Sequence, residues 1–95
     1  MAAYLVAKLV VTDPEAYEQY RSQVPATIAA YGGRYIVRGG AIDTLEGEAV
    51  TERVVILEFP DMAQLKAWYQ SAAYRPLIEI RKRSTHSKLF AIEGV

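Results

Sequence analysis

Val50-Thr51-Glu52-Arg53-Val54-Val55-Ile56-Leu57-Glu58-Phe59, followed by Pro60-Asp61-Met62-Ala63-Gln64, is the stretch whose reading decides the fold. Its β-branched run, uninterrupted from Val54 to Leu57, predicts a strand over Val50 to Phe59, and Pro60-Asp61 ends it. Asp61 followed three residues later by Gln64 fits a capping box, and Leu65, Trp68, Tyr69 and Ala72 then recur at helical spacing. Because side chains alternate across a strand, Val54 and Ile56 lie on one face and Val55, Leu57 and Phe59 on the other. Both faces are therefore apolar. A sheet with helices on one side only should read polar on its other side, so the pattern calls for a second cover.

Working outward, Ala3 to Val11 is another apolar, β-branched run, with Tyr4, Val6 and Val10 set against Leu5, Leu9 and Val11. Thr12-Asp13-Pro14 ends it and starts a helix, with Asp13 as N-cap and Pro14 at the first helical position. Tyr17, Tyr20, Val24, Ile28 and Tyr31 form one stripe that keeps phase through Pro25, which predicts a kink or restart there. Gly32-Gly33 closes the helix, Arg34 to Arg38 reads as a strand ended by Gly39-Gly40, and Ala41 to Ala49 is a polar connection. Beyond the second helix, Ser71 is placed as the N-cap of a short helix over about Ala73 to Arg83, which carries Leu77 and Ile80 inward. Ser87 to Glu93 is the last strand. Strand, helix, strand, repeated once, predicts an α+β fold: a ferredoxin-like βαββαβ sandwich with a four-stranded antiparallel sheet and its main helices on one face. A chain of 95 residues has nothing left to cover the other face, so the reading is a homodimer, sheet against sheet.

Composition narrows the function classes. The length fits one domain over residues 1–95, and at 52% hydrophobic the chain needs no cross-links to fold. It has no Cys, which excludes disulfides, zinc thiolates, iron–sulfur clusters and thiol nucleophiles. Eleven basic residues balance eleven acidic ones, so the electrostatic footprint of a nucleic-acid binder is missing. No apolar run is long enough to span a membrane, and Lys8 interrupts the N-terminal apolar stretch too early for a signal peptide. The expectation is a cytoplasmic protein without membrane or nucleic-acid partners.

Chemistry-bearing residues are sparse. Lys8, Arg38 and Glu58 each lie inside an apolar strand. Either they reach solvent at the sheet rim, or two of them meet as a polar patch that positions an anionic or carbonyl-bearing molecule between sheet and helices, or they pair between chains. His86, the one histidine, sits in a basic stretch and lacks the companions of a metal site, so no metal and no cofactor are expected. Gly32-Gly33 and Gly39-Gly40 are turn glycines rather than a dinucleotide fingerprint, and Ser71, Ser84 and Ser87 lack a nucleophile elbow. Arg81, Lys82 and Arg83 suit a helix C-terminus. Seven of the ten aromatic residues are Tyr, whose apolar ring and polar tip suit walls that are half core and half cavity.

Asp13-Pro14-Glu15-Ala16-Tyr17 with Tyr20, Tyr31-Gly32-Gly33-Arg34, Val37-Arg38-Gly39-Gly40, Glu58-Phe59-Pro60, Ala67-Trp68-Tyr69, Ser71 with Tyr74, Arg81, Ser84 and Glu93-Gly94 together resemble the domain of unknown function 1330 family, nearly end to end. The resemblance implies a dimeric α+β barrel and agrees with the dimer read from the two-faced strands. Other members of that superfamily include cofactor-free monooxygenases and muconolactone isomerase-like enzymes. One departure stands out: after Ser71 the family continues Pro-Glu-Tyr, whereas this chain has Ala72-Ala73-Tyr74, so no role for that acid carries over.

The resemblance locates a pocket between the sheet and its helices. From the helix stripes, Tyr17, Tyr20, Trp68 and Tyr69 are candidates to line it, and from the motifs Arg38, Ser71, Tyr74 and Arg81. Glu58 joins them as a strand charge. Two functions fit. In the first, Arg38 or Arg81 holds a small carboxylate or enolate, tyrosine hydroxyls orient it, and the protein is a cofactor-free oxygenase- or isomerase-like enzyme. In the second, these residues serve structure in a non-catalytic dimeric ligand-binding or accessory module.

Overall fold

A computed structural model describes residues 1–95. Its elements are β1 (Ala3–Val11), α1 (Pro14–Ala29), β2 (Arg34–Arg38), β3 (Arg53–Phe59), α2 (Met62–Tyr69), α3 (Arg75–Ser84) and β4 (Thr85–Glu93). The strands form one antiparallel sheet in the order β2-β3-β1-β4. That is the ferredoxin-like arrangement the alternation of elements predicts. The Cα atoms extend 35 × 34 × 16 Å, and the short dimension leaves room for one sheet and one layer of helices.

Local chemistry accounts for the boundaries. The Asp13 carboxylate accepts from the Ala16 amide at 3.2 Å, and the Asp61 carboxylate accepts from the Gln64 amide at 2.8 Å. Each satisfies one of the amides left free at a helix start. Pro25 lies inside α1, where a proline costs about 3 kcal/mol, yet the helix continues. Val24 and Ile28 flank it and are buried, and burial of such side chains contributes about 1.5–3 kcal/mol each, enough to offset the proline. Gly32 takes φ +75° at the end of α1, and Gly33 lies so close to Phe59 and Ile28 that a Cβ there would come within 2.6 Å of the Phe59 ring.

Four boundaries differ from the sequence reading. β3 starts at Arg53 rather than Val50: its pairing with β1 begins at Arg53, opposite Leu9, and β2 on its other side ends at Arg38, opposite Val55. β4 begins at Thr85, two residues early, where its pairing with Val11 of β1 opens. Ala72 is exposed in the turn after α2 and does not continue the helical stripe. Ser71 caps that turn rather than α3 itself: its hydroxyl donates to the Trp68 carbonyl at 2.8 Å and accepts from the Tyr74 amide at 3.1 Å, and α3 starts at Arg75.

The core lies on one face of the sheet. Ala3, Leu5, Ala7 and Leu9 of β1 and Leu57 and Phe59 of β3 are buried beneath Val24, Ile28, Leu65, Trp68, Tyr74 and Leu77 of the helices. The opposite face carries Tyr4, Val6, Val10, Ile56, Phe90 and Ile92 with no helix over them, and Val10, Phe90 and Ile92 are 47%, 42% and 53% exposed. Lys8 and Lys88 stand opposite each other on this uncovered face, as do Arg34 and Glu58.

Candidate functional site

Between α1 and the sheet is a cavity of about 40 Å³. That is room for a few waters or the head of a small ligand. Leu5, Ala7, Leu9, Val55 and Leu57 of the sheet form its floor, and Tyr17, Tyr20, Val24 and Ile28 of α1 form its roof. Strand alternation and the α1 stripe put these groups face to face, so the cavity follows from the same periodicities that give the fold.

The helix-side wall is a hydrogen-bonded chain. Arg81 of α3 donates through Nη1 to the Tyr74 hydroxyl at 2.8 Å, and the Tyr74 and Tyr20 hydroxyls share a hydrogen bond at 2.7 Å. Arg81 is only 4% exposed, and its Nε has no partner in the protein. Trp68 packs on Tyr74 with ring centroids 4.1 Å apart, and its indole N–H donates to the Thr27 hydroxyl at 3.0 Å, which itself donates to the Val24 carbonyl. Burial is the main cause that raises the Tyr20 and Tyr74 hydroxyls above a tyrosine's ordinary pKa, so both are neutral donors at neutral pH. For Arg81, burial opposes the charge, but the Tyr74 and Tyr20 oxygens more than compensate and the guanidinium stays ionised.

The sheet-edge wall is looser. Tyr35 of β2 and Arg53 of β3 line the cavity, and the Arg38 guanidinium lies over the Tyr35 ring, 4.3 Å from its centroid. Burial raises Tyr35 too, against the lowering effect of Arg38. Arg53 has a buried Nε without a protein partner. Arg21, Arg38, Arg53 and Arg81 all line the cavity, and no acidic side chain does. Only Arg21 has an ion-pair partner, Glu18 at 2.7 Å. A chain of zero net charge thus concentrates positive charge around one apolar space.

Of the nine candidate residues, Tyr17, Tyr20, Arg38, Trp68 and Arg81 line the cavity. Tyr74 stands behind Tyr20 and joins it to Arg81, and Ser71 stabilises the turn that places Tyr74. Tyr69 does not line the cavity but packs behind its wall, with its ring 6.2 Å from Trp68 and 5.9 Å from Tyr74, and it also borders a groove beside α2. Glu58 is a correction: it lies on the uncovered face of the sheet and pairs with Arg34 at 2.8 Å. Its place follows from strand alternation, since Leu57 and Phe59 on either side of it take the covered face. Lys8, Arg38 and Glu58 therefore do not form a shared polar patch: Lys8 and Glu58 belong to the uncovered face and Arg38 to the cavity. His86 is exposed on β4, opposite Val10. No group of three His, Cys, Asp or Glu side chains comes together as a metal site. Thr27, Tyr35 and Arg53 were not singled out from sequence. Arg53 carried a signal, because counting back by two from Phe59 through Leu57 and Val55 lands on it.

The DUF1330 model, a domain of unknown function, matches residues 2–95. The chain belongs to that family. No curated protein matches it. Among solved structures, this DUF1330 chain is similar to a protein of unknown function from Rhodopseudomonas palustris, with TM-score 0.79 and 18% identity over 99% of this chain and 82% of the other. It is also similar to a mutant of SnoaB, a cofactor-independent oxygenase from Streptomyces nogalater, with TM-score 0.73 and 14% identity over 98% and 92% of the two chains. A dimeric ferredoxin-like protein of unknown function from Jannaschia sp. CCS1 matches with TM-score 0.67 and 14% identity over 99% and 100%. At these identities the likeness establishes a shared ferredoxin-like fold.

Proposed function

We propose that this DUF1330 protein is a cytoplasmic homodimer that binds a small carboxylate or aromatic molecule in the cavity between sheet and helices, as a cofactor-free oxygenase- or isomerase-like enzyme. The observation that carries the reading is the convergence of Tyr20, Arg38 and Arg81 on one apolar space. Neutral tyrosine hydroxyls and fixed guanidinium groups are the donors that stabilise an enolate or phenolate as its charge develops. The uncovered apolar face supports the dimer, and the dimeric Jannaschia protein shares the fold. SnoaB shows that this fold can carry oxygenase chemistry without a cofactor. No helix is long and apolar enough to cross a membrane.

One observation favours the second reading, a non-catalytic ligand-binding or accessory module. The cavity wall holds no carboxylate and no imidazole, so no side chain with an ordinary base's pKa faces the ligand.

A thermal-shift and native mass-spectrometric panel of carboxylates and phenols at millimolar concentration tests the site. The intact dimer should be stabilised, and Arg38→Met should lose that stabilisation while keeping fold and assembly. An intact dimer that no compound stabilises overturns the reading. Binding without turnover under air favours the module. Loss of folding in Arg38→Met identifies a structural charge instead.

A further inference from the structure

The four arginines around the cavity are not equivalent. Arg21 is paired with Glu18, Arg38 lies over Tyr35, and Arg81 donates to Tyr74. Arg53 has no ion pair and no side-chain hydrogen bond, and its Nε is buried. It is opposite Leu9, one of the buried residues of the floor. Arg53 as a whole is half-buried, and it lines the cavity without a counter-ion from the protein, so its charge is available to an anion there.

Gly39 explains why Arg53 can sit there. Its φ is +68°, and a Cβ built on it would fall 2.1 Å from Arg53 Nη1 and 2.4 Å from Cζ. The Gly39 amide donates to the Val54 carbonyl at 2.9 Å, which fixes the end of β2 beside the start of β3. The backbone of Gly39 is thus a seat for the flat guanidinium, and only a residue without a side chain leaves it open.

From these features we infer that Arg53, seated on Gly39, is the anion-recognition residue of the cavity and that the ligand is a short-chain or single-ring carboxylate. The inference rests on the small-molecule site proposed above and narrows it from carboxylates and phenols to carboxylates. The size of the cavity agrees: about 40 Å³ takes a carboxylate head and a short apolar portion. The planar fork of a guanidinium matches a carboxylate with two parallel hydrogen bonds, and because the Arg53 Nε is enclosed, its two Nη groups, which have no protein partner, provide such a pair. A neutral phenol or alcohol offers no second acceptor oxygen and no charge.

Calorimetric titration with matched probes tests this: benzoate against benzyl alcohol, and propionate against propionamide, at pH 7.5. The native protein should bind each acid at least about tenfold more tightly than its neutral partner, as expected when charge-assisted hydrogen bonds are lost. Arg53→Gln should remove that preference and leave weak binding of the neutral probes unchanged. Arg53→Lys should restore only part of it, because the charge returns without the fork. Gly39→Ala, which displaces the guanidinium without removing it, should weaken acids selectively. Equal binding of acid and neutral probes, unaffected by Arg53→Gln, overturns this inference and leaves the site proposal standing. Absence of binding by all probes overturns both. If Arg53→Gln fails to fold, the same acid-to-neutral ratio read on Gly39→Ala decides, and an unchanged ratio there rejects the assignment.

Discussion

The two faces of the sheet are built from similar residues and have different fates. On the covered face, Leu5, Leu9, Leu57 and Phe59 are buried by helices of the same chain. On the other, Tyr4, Val6, Ile56, Phe90 and Ile92 offer comparable apolar surface with nothing above it, interrupted by Lys8, Lys88 and the Arg34–Glu58 pair. The difference lies in the charges. The uncovered face carries its charges as cross-strand neighbours that can stay hydrated at the rim of an interface, whereas the covered face carries arginines that point into a cavity and find no acid there. One face is suited to meet a protein surface and the other to meet a small anion, and variants on each should fail in different ways.

The largest effect belongs to the covered face. Trp68 is 1% exposed, packs on Phe59 and Tyr74, and bonds Thr27. Trp68→Ala should cost about 3–5 kcal/mol through the cavity it leaves, enough to unfold much of a marginally stable small domain at 25 °C. Urea denaturation followed by circular dichroism measures it. A loss under about 1 kcal/mol would mean that the helix layer is not held by this residue.

On the uncovered face the effect should fall on assembly. Phe90 is 42% exposed and stands beside Val6, close to Lys8 and Lys88. Phe90→Lys adds a third positive charge to the centre of the proposed interface, and the loss of such an anchor costs about 2 kcal/mol or more of association. Sedimentation at micromolar concentration should show a dimer for the native protein and a 10.6 kDa species for the variant, with an unchanged far-ultraviolet spectrum. A native protein that sediments only as the 10.6 kDa species would remove the dimer and the interpretation of this face together.

The faces were legible in the sequence because the strand period is local: Val54 and Ile56 against Val55, Leu57 and Phe59 needed no tertiary knowledge. The caps at Asp13 and Asp61 were legible for the same reason. Strand ends were less so, since Val50 satisfies strand propensity and only the pairing with β1 and β2, which ends at Arg53 and Val55, leaves it outside the strand. The cavity was legible in part. Tyr17, Tyr20 and Trp68 follow from stripes, and Arg38 and Arg81 from motifs, but the contact between Arg81 and Tyr74 spans about two helical turns, and no pattern connects the Tyr74 hydroxyl to that of Tyr20, 54 residues earlier. Glu58 lies outside the cavity because alternation puts it on the other face from Leu57 and Phe59, so that of the alternatives open for it the outcome is solvent at the rim. The same alternation, extended back to the start of the strand, points Arg53 inward.

The smallest effect at neutral pH, and the sharpest discriminator between the faces, comes from Tyr20. Its hydroxyl, like those of Tyr35 and Tyr74, is held above its ordinary pKa chiefly by burial on the covered side. The folded protein therefore retains protons that the unfolded chain releases above about pH 10, so stability is complete below that pH and falls as pH rises through the folded values. Each tyrosine held neutral contributes a slope of about 1.4 kcal/mol per pH unit in that range. Tyr20→Phe should cost about 1 kcal/mol at pH 7.5, the net worth of its hydrogen bond to Tyr74, and should flatten the alkaline decline by one tyrosine's share. The two stability curves then converge between pH 10 and 11, which urea titrations at half-unit steps resolve. Equal slopes for the native protein and Tyr20→Phe would show that the Tyr20 hydroxyl reaches water, and with it that the helix-side wall of the cavity is open rather than a dry, donor-lined surface.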